Sequence, residues 1–322
     1  MEKIRFGIVS TGKIANKFAE DLTHSNHGVL GAVGSRNVDT AKEFANKYGC
    51  DAYYGSYEEL YADPNIDVIY VATPHSFHLQ NGTDALKAGK PVLSEKPLTM
   101  NIGQTEELLN TAKELDIYLM EGMWTYFLPT LIKTREWIDA GEIGEITQVR
   151  ADFGFASPFD PLHRNFNPDL AGGSMLDIGI YPIALNWFVM KEDPKNMIVY
   201  GKTAPTGVDS EVNMVFEYEN SVSYLASSFT SKLQNTAYIA GTKGSIEIPN
   251  FWMSQEAILH NNWEVKEHFK APRQGFGFQY EIDAVCQDIR DGKKESDVFP
   301  HAYSRKLQQH MSEALKKMGL EY

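Results

Sequence analysis

The sequence predicts an α/β protein, with a doubly wound parallel sheet of Rossmann type over residues 1–122 and an α+β domain carrying a large open, mainly antiparallel sheet over residues 123–322. Three observations carry that reading. In the amino-terminal part, short apolar runs recur between helical patterns without polar alternation, as strands buried on both faces require. Residues 145–270 break instead into strand-like segments joined by short turns, such as Glu219-Asn220 and Gly241-Thr242-Lys243-Gly244, the signature of an antiparallel meander. A length of 322 residues suffices for two domains, each with its own core.

Composition narrows the classes of partner. Apolar residues make up 43% of the chain and charged residues 23%, an ordinary globular balance. With 30 basic against 43 acidic side chains the formal net charge is −13, which argues against nucleic acid or an anionic membrane as partner. Two cysteines, Cys50 and Cys286, are too few for a disulfide framework and lack metal-ligand spacing. Residues 1–9 read directly as a strand rather than a secretory leader, and no apolar run reaches the roughly 18 residues of a membrane span. A cytoplasmic protein is the expectation.

Taken in order, Ile4–Ser10 form a strand that turns through Ser10-Thr11-Gly12-Lys13-Ile14 into a helix over 16–22. Strand, small-residue turn and helix together present free backbone N–H groups to a pyrophosphate, so Ser10, Thr11, Gly12, Lys13 and Ile14 are candidate cofactor contacts. The dinucleotide fingerprint G-x-G-x-x-G/A is imperfect here, because Ser10 stands at its first glycine. The second strand, 29–34, ends in Ser35-Arg36-Asn37. An acidic residue at that place would accept the ribose hydroxyls of NAD; a small hydroxyl residue followed by arginine suits the 2′-phosphate of NADP, so Ser35 and Arg36 favour NADP, with NAD kept open. A helix over 40–48 closes at Gly49, and Ser56-Tyr57-Glu58-Glu59 has the spacing of a capping box.

The strand 67–72 ends in Thr73-Pro74-His75-Ser76-Phe77-His78. Two histidines three apart invite a metal, but no carboxylate or cysteine accompanies them, so no metal is expected and His78, with Thr73 and Pro74, is read as a cofactor contact. After a helix over 79–88, the apolar run Pro91–Leu93 delivers Glu95, Lys96 and Pro97 at its carboxyl end, where an open α/β sheet keeps its ligand. Pro97 restricts Lys96 to an extended backbone, so the amine is presented by a stiff turn. A lysine held beside a cofactor is a proton donor or acceptor. A helix over 104–115 and a strand over 118–121 complete this domain.

The ordered set of glycine turn, Ser35-Arg36-Asn37, Thr73-Pro74-x-x-x-His78, Ala88-Gly89-Lys90 and Glu95-Lys96-Pro97 resembles the Gfo/Idh/MocA oxidoreductases. In the second half, Gly172-Gly173-Ser174-Met175-Leu176-Asp177-Ile178-Gly179-Ile180-Tyr181-Pro182 places Asp177 and Tyr181 four apart, on one face if helical. Many members of that family carry an aspartate and a histidine at this spacing, both directed at the substrate carbonyl. Tyrosine at 181, with Met120-Glu121-x-x-Trp124, Val149–Gly154, Gly207-Val208-Asp209 and Gly241–Gly244, is similar to the branch of dimeric dihydrodiol dehydrogenases and NADP-dependent D-xylose dehydrogenases.

The resemblance implies hydride transfer between nicotinamide and a carbinol or carbonyl carbon of a sugar or diol. Lys96, Asp177 and Tyr181 are then catalytic, with either Lys96 or Tyr181 carrying the proton. Glu95 and Thr73 would touch the cofactor, and Trp124, Arg150 and Phe153 would join Asp177 and Tyr181 around the substrate. The open sheet calls for a homodimer or higher homo-oligomer through sheet-on-sheet packing, and the last helix, 302–318, for packing against the first domain. Two rivals stay open: an NADP-binding sensor without turnover, and an NAD-dependent polyol or inositol dehydrogenase, which Ser35-Arg36 and Tyr181 disfavour.

Overall fold

The computed structural model describes residues 2–261 and 264–322. Two compact units divide the chain, one running to Phe127 and including Arg273–Arg305, the other comprising Leu128–Pro272 and Lys306–Tyr322. The sequence boundary at 122/123 therefore moves five residues on, and a later segment returns to the first unit.

The first unit alternates strands and helices: β1 (Ile4–Val9), α1 (Lys13–Leu22), β2 (Gly28–Gly34), α2 (Val38–Tyr48), β3 (Ala52–Tyr54), α3 (Tyr57–Ala62), β4 (Val68–Val71), α4 (His78–Lys87), β5 (Val92–Glu95), α5 (Ile102–Leu115) and β6 (Leu119–Gly122). All six strands run parallel in the order β3-β2-β1-β4-β5-β6. The order reverses between β1 and β4, which marks the ligand side of such a sheet at the carboxyl ends of these strands. Phe6, Ile8, Val9, Ile69, Val71, Val92 and Leu93 are fully buried, as apolar runs covered on both faces must be. Capping is local chemistry: Asn37, Ser56 and Asn101 each accept amides of the first turn of α2, α3 and α5, and Gly49 closes α2 at φ 70°. Sequence reading missed β3, three half-buried residues too short to show a period.

The second unit begins with α6 (Pro129–Asp139) and β7 (Ile146–Gly154), then a π-helical turn, Met175–Gly179, that continues as α7 (Ile180–Met190). Seven strands follow: β8 (Asn196–Thr203), β9 (Asp209–Glu217), β10 (Val222–Ser228), β11 (Thr236–Gly241), β12 (Gly244–Pro249), β13 (Glu256–Asn261) and β14 (Glu264–Lys270). The eight strands are ordered β14-β13-β12-β11-β7-β10-β9-β8. A pure meander is not what forms, because β10 pairs parallel with β7 at the sheet's centre after the excursion through α7. One face packs under α7 through Val149, Ala151 and Phe153. The other bears a transverse row, Ile198, Val215, Tyr224, Arg150, Tyr238 and Glu247, paired strand to strand. Tyr224 and Ile198 on it are 43% and 37% exposed.

Two helices close the chain. The first, α8 (Gln279–Arg290), had no expectation attached and belongs to the first unit. The second, α9 (His301–Lys317), is divided: its residues to Arg305 group with the first unit and those from Lys306 with the second. The segment before α8 is tied to α1 by one carboxylate. Asp21 accepts the amides of Phe276 (2.9 Å), Gly277 (2.7 Å) and Phe278 (2.7 Å). Its side chain is fully buried, so nothing replaces it when removed. Asp21→Ala is therefore expected to destabilise the protein by about 2–4 kcal/mol in urea unfolding, the cost of stranding several buried donors.

Candidate active site

In the first unit the site is a set of strand ends. The turn after β1 takes Ser10 to φ 93°, a region glycine prefers, which is why a glycine usually stands there. The serine compensates in part: its N–H donates to the Gly34 carbonyl (2.9 Å) and its Oγ accepts from the Gly12 N–H (3.2 Å). Gly12 is the N-cap of α1 and gives it no side-chain cap, so the amides of the first turn face outward for an anion. Beyond β2, Ser35 is buried and its Oγ accepts from the Asn37 N–H (3.3 Å), while Arg36 is exposed with its positive charge near Tyr57 at the start of α3. None of the residues Ser35, Arg36 and Asn37 is a carboxylate.

The turn that carries Lys96 is held from several sides. His78 is fully buried, and its ring nitrogens meet the carbonyls of Thr73 (Nε2, 2.9 Å) and Pro97 (Nδ1, 2.8 Å). It is a strut between the end of β4 and the turn after β5 rather than the cofactor contact expected from sequence, because neither ring edge is left to face a ligand. Thr73 is buried, with its Oγ1 accepting from Asn81 (3.1 Å); Pro74 is exposed beside it. Glu95 is 4% exposed and accepts from the Tyr70 hydroxyl and from the Lys96 N–H. The Tyr70 ring stacks on Phe18 at 3.6 Å, and Phe18 and Trp124 both pack on Phe278. Lys96 itself is half-buried.

Two carboxyls lie behind that turn: Glu121, which the sequence showed only within the Met120-Glu121-x-x-Trp124 resemblance and without a role, and Glu281, which carried no expectation. Glu121 at the end of β6 is 3% exposed, and burial pushes its carboxyl up to about 7. Glu281 on α8 is fully buried, neither carboxyl oxygen has a hydrogen-bond partner, and burial, followed by the charges of Glu95 and Asp21, pushes it well above the usual carboxylate range. Isolated acidic residues carry no periodic signal, so only tertiary structure reveals them.

In the second unit the candidates sit on and under the π-helical turn. The Ile180 N–H reaches back to the Met175 carbonyl, widening the helix just before Pro182 and keeping Asp177 and Tyr181 about one turn apart. Asp177 pairs with Arg164 at 2.7 Å; Tyr181 is buried with its ring 5.7 Å from Phe153, which stacks on Trp252 at 3.8 Å. Asp209 anchors the turn from beneath, accepting from Ser174 Oγ (2.8 Å) and the Met175 N–H (2.7 Å). Gly173, at φ 115°, is required there: a Cβ would fall 2.3 Å from Asp209 Oδ1. Arg150, expected beside the substrate, lies on the opposite face of the sheet from Phe153 and Tyr181, where its Nε donates to Gln148 (2.6 Å) and its guanidinium covers the Tyr224 ring. Strand parity sets this, since residue 150 alternates with Val149 and Ala151. Among the described residues no group of histidine, cysteine or acidic side chains could hold a metal, and no helix is long and apolar enough to cross a membrane.

The parallel sheet with its anion-ready turn and the buried lysine turn define a dinucleotide-binding oxidoreductase, and known proteins place it further. Residues 4–123 match the oxidoreductase family with an NAD-binding Rossmann fold, and residues 131–247 match the GFO/IDH/MocA C-terminal domain. The mouse (Mus musculus) trans-1,2-dihydrobenzene-1,2-diol dehydrogenase is 37% identical over 99% of this chain and 98% of its own length. An NADP(+)-dependent D-xylose 1-dehydrogenase from Hypocrea jecorina is 35% identical, covering 99% of this chain and 93% of its own. The aldose-aldose oxidoreductase of Caulobacter crescentus superposes with a TM-score of 0.89 at 23% identity over 98% of both chains. The chain belongs to the Gfo/Idh/MocA oxidoreductase family.

Glu281 yields a stability prediction. An unfolded glutamate ionises near its ordinary 4.5, whereas the folded one holds its proton far higher, so the unfolded state alone loses a proton as pH rises and stability falls above that point. Glu281→Gln removes this term. Its stability relative to the parent, from urea unfolding, should rise between mildly acid and mildly alkaline pH by at least about 1 kcal/mol.

Proposed function

We propose that the protein is an NADP-preferring dehydrogenase or reductase that moves a hydride between nicotinamide and a carbinol carbon of a sugar or vicinal diol. The observation that carries this is the locked Glu95-Lys96-Pro97 turn at the carboxyl end of β5, together with Arg36 where an NAD enzyme keeps a carboxylate. When bound, the cofactor supplies the hydride chemistry. The turn Ser10–Ile14 and the first turn of α1 would hold its pyrophosphate, and Ser35 and Arg36 its 2′-phosphate. Glu95 and Thr73 support the ribose side.

Lys96 takes the proton from the substrate hydroxyl during oxidation and returns it during reduction. Tyr181, and Asp177 with its Arg164 partner, are assigned to orienting the substrate in the second unit. Phe153 and Trp252 offer aromatic faces to the apolar side of a sugar or diol ring, and Trp124 is assigned to the substrate as well. Arg150 leaves this group. With Tyr224 and the exposed row on the open sheet, it is read instead as part of a face for self-association into a homodimer or larger homo-oligomer. The buried free thiols of Cys50 and Cys286 suit a cytoplasmic location.

Lys96→Met should lower kcat by roughly 10²-fold or more while NADPH still binds, as nicotinamide fluorescence will report; undiminished turnover would refute the role. Arg36→Ala should weaken NADPH by about tenfold or more and NADH little, a loss of one charged hydrogen-bonded contact. Equal losses for both cofactors would show that Arg36 does not read the 2′-phosphate.

A further inference from the structure

We propose that Glu121 is a positioning residue for Lys96: its buried carboxyl clamps the turn that bears the lysine and supplies the negative charge that governs when the lysine holds its proton. This rests on the assignment of Lys96 as proton carrier. Glu121 follows β6 alongside β5, in register with Ser94, which puts it one strand from the turn. Its Oε1 accepts the Leu98 N–H at 2.8 Å, two residues past Lys96. The positive charge of Lys96 is within reach of the same carboxyl, whose Oε2 has no hydrogen-bond partner among the described residues.

The groups around Glu121 are few. Lys96 and Glu95 face it from the β5 turn and Tyr126 from the short helix Trp124–Phe127. From α8, Glu281 reaches the neighbouring Gly122. Among these described groups Lys96 is the cation. The hydrogen bond from Leu98 by itself would be served as well by an amide as by a carboxyl. What an amide lacks is charge, and burial makes that charge expensive unless a cation shares it. A glutamate rather than a glutamine is thus matched to the lysine. Its carboxyl titrates near neutrality, so over that range the field felt by Lys96 changes.

Glu121→Gln separates the two roles, since it preserves size and the acceptor for Leu98. The readout is kcat and kcat/KM against pH from about 6 to 10, where a general acid or base leaves a limb that Lys96→Met abolishes. In Glu121→Gln that limb should move to lower pH by roughly one unit, because the ammonium loses its partner, while NADPH affinity stays within about twofold. If Glu121→Gln folds, by circular dichroism, and its limb stays where the parent's lies, the proposal is overturned. Full activity in Lys96→Met would instead overturn the assignment of the lysine on which it rests.

Discussion

The structure around the lysine depends on one buried side chain. His78 joins the carbonyls of Thr73 and Pro97 and so links the ends of β4 and β5 at the point where the sheet hands its ligand side to loops. With that tie, the Glu95 carboxylate below and the Leu98 amide at Glu121, the turn is fixed by interactions that reach three strands. A catalytic amine must be held within a fraction of an ångström of its working position, and rigid neighbours do that better than a flexible loop.

The second unit solves the same problem with different means. Its candidate side chains ride on a π-turn, a wider helical geometry that recurs at functional sites because it re-aims side chains without ending the helix. Asp209 holds the start of that turn, and the Tyr322 hydroxyl donates to the adjacent Gly172 carbonyl, so the strand β9 and the last residues of the chain both brace it. Burial holds the Asp209 carboxyl above the usual range even so, with the bonds from Ser174 and Met175 offsetting part of it. In both units, then, buried carboxyls fix backbone rather than face solvent.

How much of this the sequence disclosed follows from what leaves a pattern. Parallel strands buried on both faces print as apolar runs, and caps print as Asn37, Ser56 and Gly49, so the first unit was legible nearly element by element. The edge strands β8 and β14 are mostly exposed and polar, and α8 follows a glycine-rich stretch, so none announced itself. Parity along β7 was sufficient to put Arg150 opposite Phe153; the resemblance to relatives, not the residues, had drawn it toward the substrate. His78 was singled out correctly as special but for the wrong partner, because a histidine bonded to two carbonyls has no sequence signature. Glu121 and Glu281 are single carboxyls whose meaning lies wholly in their neighbours.

The central claim, that this chain binds NADP and uses it to move hydride on a sugar or diol, is tested most directly by one titration. Purified protein is titrated with NADPH and with NADH, following nicotinamide fluorescence, and the NADP-loaded protein is then offered a panel of aldoses and vicinal diols. The account predicts tighter binding of NADPH than of NADH and formation of NADPH with at least one panel member. Failure to bind either cofactor would contradict it.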